Sequence, residues 1–258
     1  MRSVLTIAAS DSSCGAGVQA DLAVFRELGV YGLCAVTNVT AQNSRGVHKI
    51  AKVAPNVITA QIDAAARDFE VAACKIGMLF FPRAVDVVAE RIRRREIPKV
   101  VLDPVITAKN GETLLTEPAI KRMKRALIPV STLVTPNYSE ASVLTGNEVR
   151  DTCSAREAAR ALVEMGAANA LVKGGHAVGE PVDVLYDGEC FHEFAGERID
   201  KRMHGTGCVL SAAIAARLAL GDDVPTAVRF AKHYVADAIG RSAAMGKADM
   251  NYFVGGRE

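Results

Sequence analysis

The residues with the greatest chemical potential form the run His204-Gly205-Thr206-Gly207-Cys208, directly ahead of the Ala-rich apolar stretch Val209 to Leu220. Glycines at the start of a helix leave backbone N–H groups free to converge on an anion, and the helix dipole favours negative charge there. Cys208 falls in the first turn of that helix. A helix N-terminus stabilises a thiolate, which predicts a pKa below that of a free cysteine and a group able to take a proton near neutral pH. The competing reading is a small buried cysteine in an apolar helix.

Four further segments carry reactive types. Lys173 closes the run Leu171-Val172 ahead of Gly174-Gly175-His176, where it is either a counter-charge for phosphate or a solvated Lys before a turn. Asp103 follows Lys99-Val100-Val101-Leu102 and is either a carboxylate within reach of a metal-bound phosphate or a turn cap. Asn137 and Glu140 stand three apart at the start of a helix. They are either hard oxygen ligands for Mg²⁺ or the N-cap and N3 residues of a capping box. The run Ser10 to Gly17 lets backbone approach a ligand closely, or merely packs a strand tightly on a helix. Together they make an anion hole, a Lys, two sites for Mg²⁺ and a base of lowered pKa, the parts that phosphoryl transfer needs.

Positioning these groups falls to short apolar runs that recur along the chain: Val4 to Ala9, Ala35 to Val39, Lys75 to Leu79, Lys99 to Leu102, Thr132 to Thr135, Ala170 to Val172 and Val182 to Tyr186. Such runs suit strands buried on both faces of a parallel sheet. Stretches of helical period alternate with them, such as Val18, Leu22, Phe25 and Leu28. The alternation predicts a three-layer α/β/α sandwich, with the site where the carboxyl ends of the strands meet helix N-termini. Val182 to Phe194 departs from it and reads as an antiparallel edge hairpin with a type I′ turn at Asp187-Gly188. No repeat or linker divides the 258 residues, so one domain over 1–258 is expected.

Lys+Arg 31 against Asp+Glu 29 offers no basic footprint for nucleic acid or an anionic membrane. No run is long and apolar enough to span a bilayer. The N-terminus lacks a signal-peptide pattern, and the expected location is the cytoplasm. Six cysteines without a C-x-x-C pair argue against structural zinc or a disulfide framework. Five of them are expected to be packing residues and one, Cys208, chemical.

These motifs resemble those of the hydroxymethylpyrimidine/phosphomethylpyrimidine kinases, within the ribokinase-like superfamily. The resemblance rests on Ser10-Asp11-Ser12, Gly15-Ala16-Gly17-Val18-Gln19-Ala20-Asp21-Leu22, Val39-Thr40-Ala41-Gln42-Asn43, Lys75-Ile76-Gly77-Met78-Leu79, Leu102-Asp103-Pro104-Val105, Thr135-Pro136-Asn137 with Glu140-Ala141, Val172-Lys173-Gly174-Gly175-His176 and the HGTGC loop. It implies ATP-dependent phosphorylation of 4-amino-5-hydroxymethyl-2-methylpyrimidine and then of its monophosphate, with Mg²⁺, by a homodimer. It also implies that Gln42 reads the aminopyrimidine edge, with Ala16, Asp21, Met78 and Val105 lining the pocket. Lys173 and the amides of Gly205, Thr206, Gly207 and Cys208 would hold the phosphoryl group, Cys208 acting as base. Asp103, Asn137 and Glu140 would support Mg²⁺, Lys232 would lie near the nucleotide, and residues 105–111 would form a flap. Family positions that usually hold Gly carry Ala9 and Cys14 here, and positions that usually hold Thr carry Asn38, Met203 and Val209. Their effect is expected at the pocket rim and in the phosphate loop's hydrogen bonds.

Three rivals stand beside this reading. A pyridoxine or pyridoxal kinase keeps the reaction, although Ala108 stands where such relatives tend to carry Cys. A cysteine nucleophile paired with His204 lacks a third residue to orient the imidazole. A non-catalytic sensor has no need of the base and metal ligands that the chain retains.

Overall fold

The computed structural model describes residues 1–107, 114–175, 181–248 and 250–255. Strands β1 (Ser3–Asp11), β2 (Tyr31–Asn43), β3 (Gly46–Lys52), β4 (Val71–Ile76), β5 (Val100–Leu102), β6 (Leu133–Val134), β7 (Ala170–Val172), β8 (Asp183–Tyr186) and β9 (Phe191–Phe194) form one nine-stranded sheet in the order β3-β2-β1-β4-β5-β6-β7-β8-β9. The pairings from β2 across to β7 are parallel. Their side chains alternate between two apolar layers, as period two requires. Leu5, Val100 and Val134 face one core, whereas Val4, Val101 and Leu133 face the other.

The first core is covered by α2 (Pro55–Asp68), α3 (Pro82–Arg94), α4 (Glu117–Ala126), α5 (Tyr138–Thr145) and α6 (Thr152–Glu164). The second is covered by α1 (Gly17–Glu27), α7 (Thr206–Leu220) and α8 (Val224–Arg241). Helix α7 packs against both α1 and α8 and buries nearly every residue from Val209 to Ala219, so its Ala-rich composition reflects close packing on several sides. A small pair, β10 (Ala243–Ala244) and β11 (Asn251–Tyr252), lies outside the main sheet.

The sandwich and the β8–β9 edge hairpin are as the sequence predicts, with three differences. The opposite edge is also antiparallel, β3 pairing with β2. That strand was not expected because most of its residues are exposed or half-exposed and its polar Lys and His mask the alternation. The β8–β9 turn spans residues 187–190, not a two-residue type I′ turn. Asp187 Oδ1 accepts from the N–H groups of Glu189 (2.9 Å) and Cys190 (2.7 Å), which widens the turn. Cys14, Cys34, Cys153 and Cys190 are exposed, and of the five expected packing cysteines only Cys74 is buried.

Candidate active site

Parallel strands send their carboxyl ends to one edge of the sheet, and backbone hydrogen bonds carry the register into the loops beyond. Asp103 N–H donates to Ile76 O (2.8 Å), Thr135 N–H to Leu102 O (2.9 Å) and Lys173 N–H to Pro136 O (2.8 Å). Asp103, Asn137 and Lys173 thereby sit on neighbouring strands. Lys173 Nζ pairs with Asp103 Oδ1 at 3.1 Å, and Ser211 in α7 donates to Asp103 Oδ2 at 3.2 Å. Both groups lie against Gly207, where a Cβ would stand 3.4 Å from Lys173 Nζ and 3.6 Å from Asp103 Oδ2. Burial works against the Lys173 charge, but the Asp103 and Glu140 carboxylates outweigh it and raise its pKa.

Gly205 caps α7 in the left-handed region, φ 76°, and a side chain there would run into the Gly15 carbonyl oxygen. Two glycine turns therefore meet back to back, a contact that only glycine permits. The Thr206 hydroxyl donates to Met203 O at 2.9 Å and closes the turn from inside.

Cys208 is half-buried at the first turn of α7, with its sulfur near the Gly17 N–H that begins α1. The lowered pKa expected from the helix N-terminus does not appear. Burial pushes the thiol up to about 11, Asp21 and Asp103 add to the rise, and Lys75 with the Gly17 N–H only partly offsets it. Desolvation disfavours the charged form more than one helix end favours it.

Beneath the thiol lies a pair that strand and helix patterns alone did not mark as functional. Lys75 Nζ, wholly buried in β4, donates to both oxygens of Asp21 at 2.9 Å, and the Thr6 hydroxyl donates to Asp21 Oδ2 at 2.6 Å. Burial opposes the Lys75 charge, and the Asp21 carboxylate more than restores it. Asp21 was expected to line the pocket; it is fully buried and committed to these two partners. The available signal was a lysine inside an otherwise apolar strand, since a buried Lys must be paired.

Asn137 and Glu140 resolve as a capping box. Asn137 Oδ1 accepts from Glu140 N–H and Glu140 Oε2 from Asn137 N–H, both at 2.9 Å. The cap uses one of the two lone pairs on Asn137 Oδ1. Glu140 Oε1 keeps a long contact to Ile106 N–H at 3.4 Å. Burial raises the Glu140 pKa to about 7; Asp103 adds to the rise and Lys173 opposes it. Among the described residues no group of three or more His, Cys, Asp or Glu could hold a metal. Asp103 and Glu140 still suit Mg²⁺, which binds through one or two carboxylates and retains its waters.

Lys232, expected near the nucleotide, bonds Asp183 Oδ2 (2.9 Å) and Pro181 O (3.0 Å), while Asp183 Oδ1 accepts from Gly174 N–H (2.8 Å). It therefore braces the turn after Lys173. Met78 is buried with its sulfur 3.8 Å from Asn38 Nδ2, and Val105 is half-buried beside Asp103. Asn38, Met203 and Val209 are buried, so these three departures from the family pattern fall in packing, whereas Cys14 is exposed on the cleft that Gln42 lines. Cys14 adopts φ 59°, a region where Gly carries no strain. Ala108, His176 and part of the expected flap, 105–111, lie outside the described residues.

Gln42 belongs to a separate cluster. It lines a cleft of about 690 Å³ together with Ser12, Ser13, Cys14, Arg45 and Lys247. Gln42 Nε2 lies 2.8 Å from His204 Nε2, which is 3.0 Å from Asp11 Oδ2, and Gln42 Oε1 lies 3.3 Å from Thr40 Oγ1. Ala16 N–H donates to Asp11 Oδ2 at 3.0 Å. Burial works to raise the Asp11 pKa, but hydrogen bonds from His204 and Ser13 hold it below the usual value.

A three-layer α/β sandwich with an anion turn, a Lys and a carboxylate at its strand ends defines a kinase of the ribokinase-like class. Comparison with known proteins narrows this. The family model for phosphomethylpyrimidine kinase matches residues 11–252, and the chain belongs to that family. It is 45% identical over 237 residues to the hydroxymethylpyrimidine/phosphomethylpyrimidine kinase of Streptomyces coelicolor, covering 92% of this chain and 88% of that one. It is also 45% identical over 247 residues, 95% of its length, to the thiamine biosynthesis bifunctional protein ThiED of Geobacter sulfurreducens, and spans half the length of that protein. The structure superposes on an ADP complex of Bacillus subtilis pyridoxal kinase with a TM-score of 0.92, at 35% identity and covering 99% and 97% of the two chains. No helix among the described residues is long and apolar enough to cross a membrane.

Proposed function

We propose that the chain phosphorylates the hydroxymethyl group of an aminopyrimidine with ATP, then the resulting monophosphate, as a single ribokinase-like unit. The observation that carries the chemistry is the convergence of Lys173, Asp103 and the Gly205–Cys208 turn on one point at the start of α7. The substrate class is supported by the relatives named for it and by a carboxamide at Gln42, whose acceptor and donor complement a ring nitrogen beside an amine.

Phosphoryl transfer calls mainly for positioning and charge stabilisation. Lys173 would exchange part of its pairing with Asp103 for the transferring group, while the amides of Gly205, Thr206, Gly207 and Cys208 receive its oxygens. Asp103, Asn137 and Glu140 would support bound Mg²⁺, which would supply charge neutralisation. Cys208 would accept the hydroxymethyl proton on Sγ. With its pKa near 11 the thiol is protonated at neutral pH, so it serves as base only where positive charge brought to the site lowers that value. Lys232 would border the nucleotide and hold the Gly174 turn through Asp183. A cytoplasmic homodimer is part of the same proposal.

Turnover is tested with ATP, Mg²⁺ and a panel of hydroxymethylpyrimidine, its monophosphate, pyridoxine, pyridoxal and ribose. The first two are expected to react; no turnover of either would sink the reading. Pyridoxal as the preferred substrate would favour the second reading, to which the close match with the pyridoxal kinase structure points.

A further inference from the structure

The cluster around Gln42 contains more hydrogen-bonding information than a single specificity residue needs. The two ends of a carboxamide have the same shape, so only their partners distinguish oxygen from nitrogen. Thr40 has one hydroxyl hydrogen, and Ser10 O, which can only accept, lies 3.0 Å from it. With that hydrogen spent, Thr40 Oγ1 offers a lone pair to Gln42, and the end facing it must be the N–H₂. The opposite end faces His204 Nε2. Asp11 Oδ2 stands 3.0 Å from that same ring nitrogen, and an ionised carboxylate only accepts. A bare Nε2 would set two lone pairs against each other, so Nε2 carries one hydrogen; an N–H₂ on Gln42 would meet that N–H, so the end beside it is oxygen and shares the hydrogen with Asp11. Both contacts, one on Gln42's own strand and one from the turn before α7, select the same orientation, with the amide turned over from the one described above.

We infer that Asp11 and His204 are positioning residues that lock the Gln42 carboxamide with oxygen toward His204 and nitrogen toward Thr40. One lone pair and one N–H remain for a ligand, in a fixed order. An aminopyrimidine satisfies both when its exocyclic amine donates on the His204 side and its ring nitrogen accepts on the Thr40 side. A 3-hydroxypyridine such as pyridoxal has no amine beside a ring nitrogen, and so leaves one of the two unpaired. Tyr252, edge-on to the imidazole at 5.7 Å, and Gly15, where a side chain would strike the His204 ring, hold the ring in place. The inference rests on the proposed reading of Gln42 as the substrate-recognising residue.

The whole ligand-free chain, labelled with ¹⁵N-histidine, reports the tautomer directly by NMR at neutral pH. His204 Nε2 is expected to be protonated, and a bare Nε2 overturns the lock. KM for hydroxymethylpyrimidine is then compared in Gln42→Ala, His204→Phe and the double variant. Each single change is expected to raise KM about 10- to 100-fold, the scale of a mispaired buried polar group, with kcat lowered less. The double variant is expected to be no worse than Gln42→Ala alone, because His204 acts through Gln42. His204→Gln, which retains a donor for Asp11, recovers part of the loss. Asp11→Asn presents an amide to Nε2, moves the ring proton to Nδ1 and shrinks the preference for aminopyrimidine over pyridoxal. If Gln42→Ala raises KM but His204→Phe adds to it independently, this inference fails and the reading of Gln42 survives. An unchanged KM in Gln42→Ala defeats both.

Discussion

The two halves of the site are built on different physics. Around Cys208 the structure gathers Lys75, Asp21, Lys173, Asp103 and Glu140, charges removed from water and held by one another. Around Gln42 it uses one carboxamide, one hydroxyl and one imidazole, anchored by a single carboxylate at the cleft edge. Buried charges respond steeply to the arrival of another charge because little solvent screens them. A reaction centre that must accept phosphate and release a proton gains from that response. A recognition site gains instead from a fixed order of donors and acceptors, which neutral groups supply without large changes in pKa.

The contrast yields graded predictions. Lys75→Met leaves the Asp21 carboxylate buried with Thr6 as its remaining partner, and is expected to cost about 3–5 kcal/mol in urea unfolding. Lys75→Met combined with Asp21→Asn should recover part of that loss; a cost under 1 kcal/mol for the single change, roughly that of a surface pair, would show that the charges beneath Cys208 carry little weight. Cys208→Ala should lower kcat by about 10² or more, the scale of a general base, with pyrimidine binding largely kept. Near-normal turnover would make the thiol a packing group and empty the reaction half of its base.

Glu140 supplies a pH test. Its folded pKa, raised from 4.5 to about 7, means that the folded state holds a proton the unfolded state has lost. Its contribution to stability is therefore full below about pH 4.5 and is lost as pH rises through about 7. Glu140→Gln should flatten that fall in a series of unfolding curves across the window, and an unaltered slope would place the titration elsewhere. The smallest effect is expected at Asn137. Asn137→Ala should cost about 1 kcal/mol, the worth of an N-cap, and raise the Mg²⁺ concentration for half-maximal activity. An unchanged concentration would leave Asn137 a helix cap alone.

Much of the reaction half was readable because it follows from strand ends. An apolar run that terminates in Asp103 or Lys173 fixes where those side chains emerge, and parallel strands bring such ends together whatever the intervening helices contain. The HGTGC turn was equally clear, since glycines ahead of an apolar helix leave free amides. The edge strand β3 escaped detection because a half-exposed strand lacks a continuous apolar pattern. The partner of Lys232 was hidden for a related reason: Asp183 is brought to it from strand β8, which chain order does not reveal.

The sequence by itself determined the sandwich, the edge on which the site lies and the residue types assembled there, because those depend on periodicity and on chain order. Tertiary structure alone decided the states of those residues. Whether Cys208 is a thiol or a thiolate depends on the charges and burial that Asp21, Lys75 and Asp103 impose from three other elements. That Asn137 caps α5 depends on where its acceptor oxygen points. The partners of the Gln42 carboxamide include His204, itself paired with Asp11 from 193 residues away in the chain. Protonation and hydrogen-bond direction are set by nearest neighbours in space, and the chain reveals those only when folded.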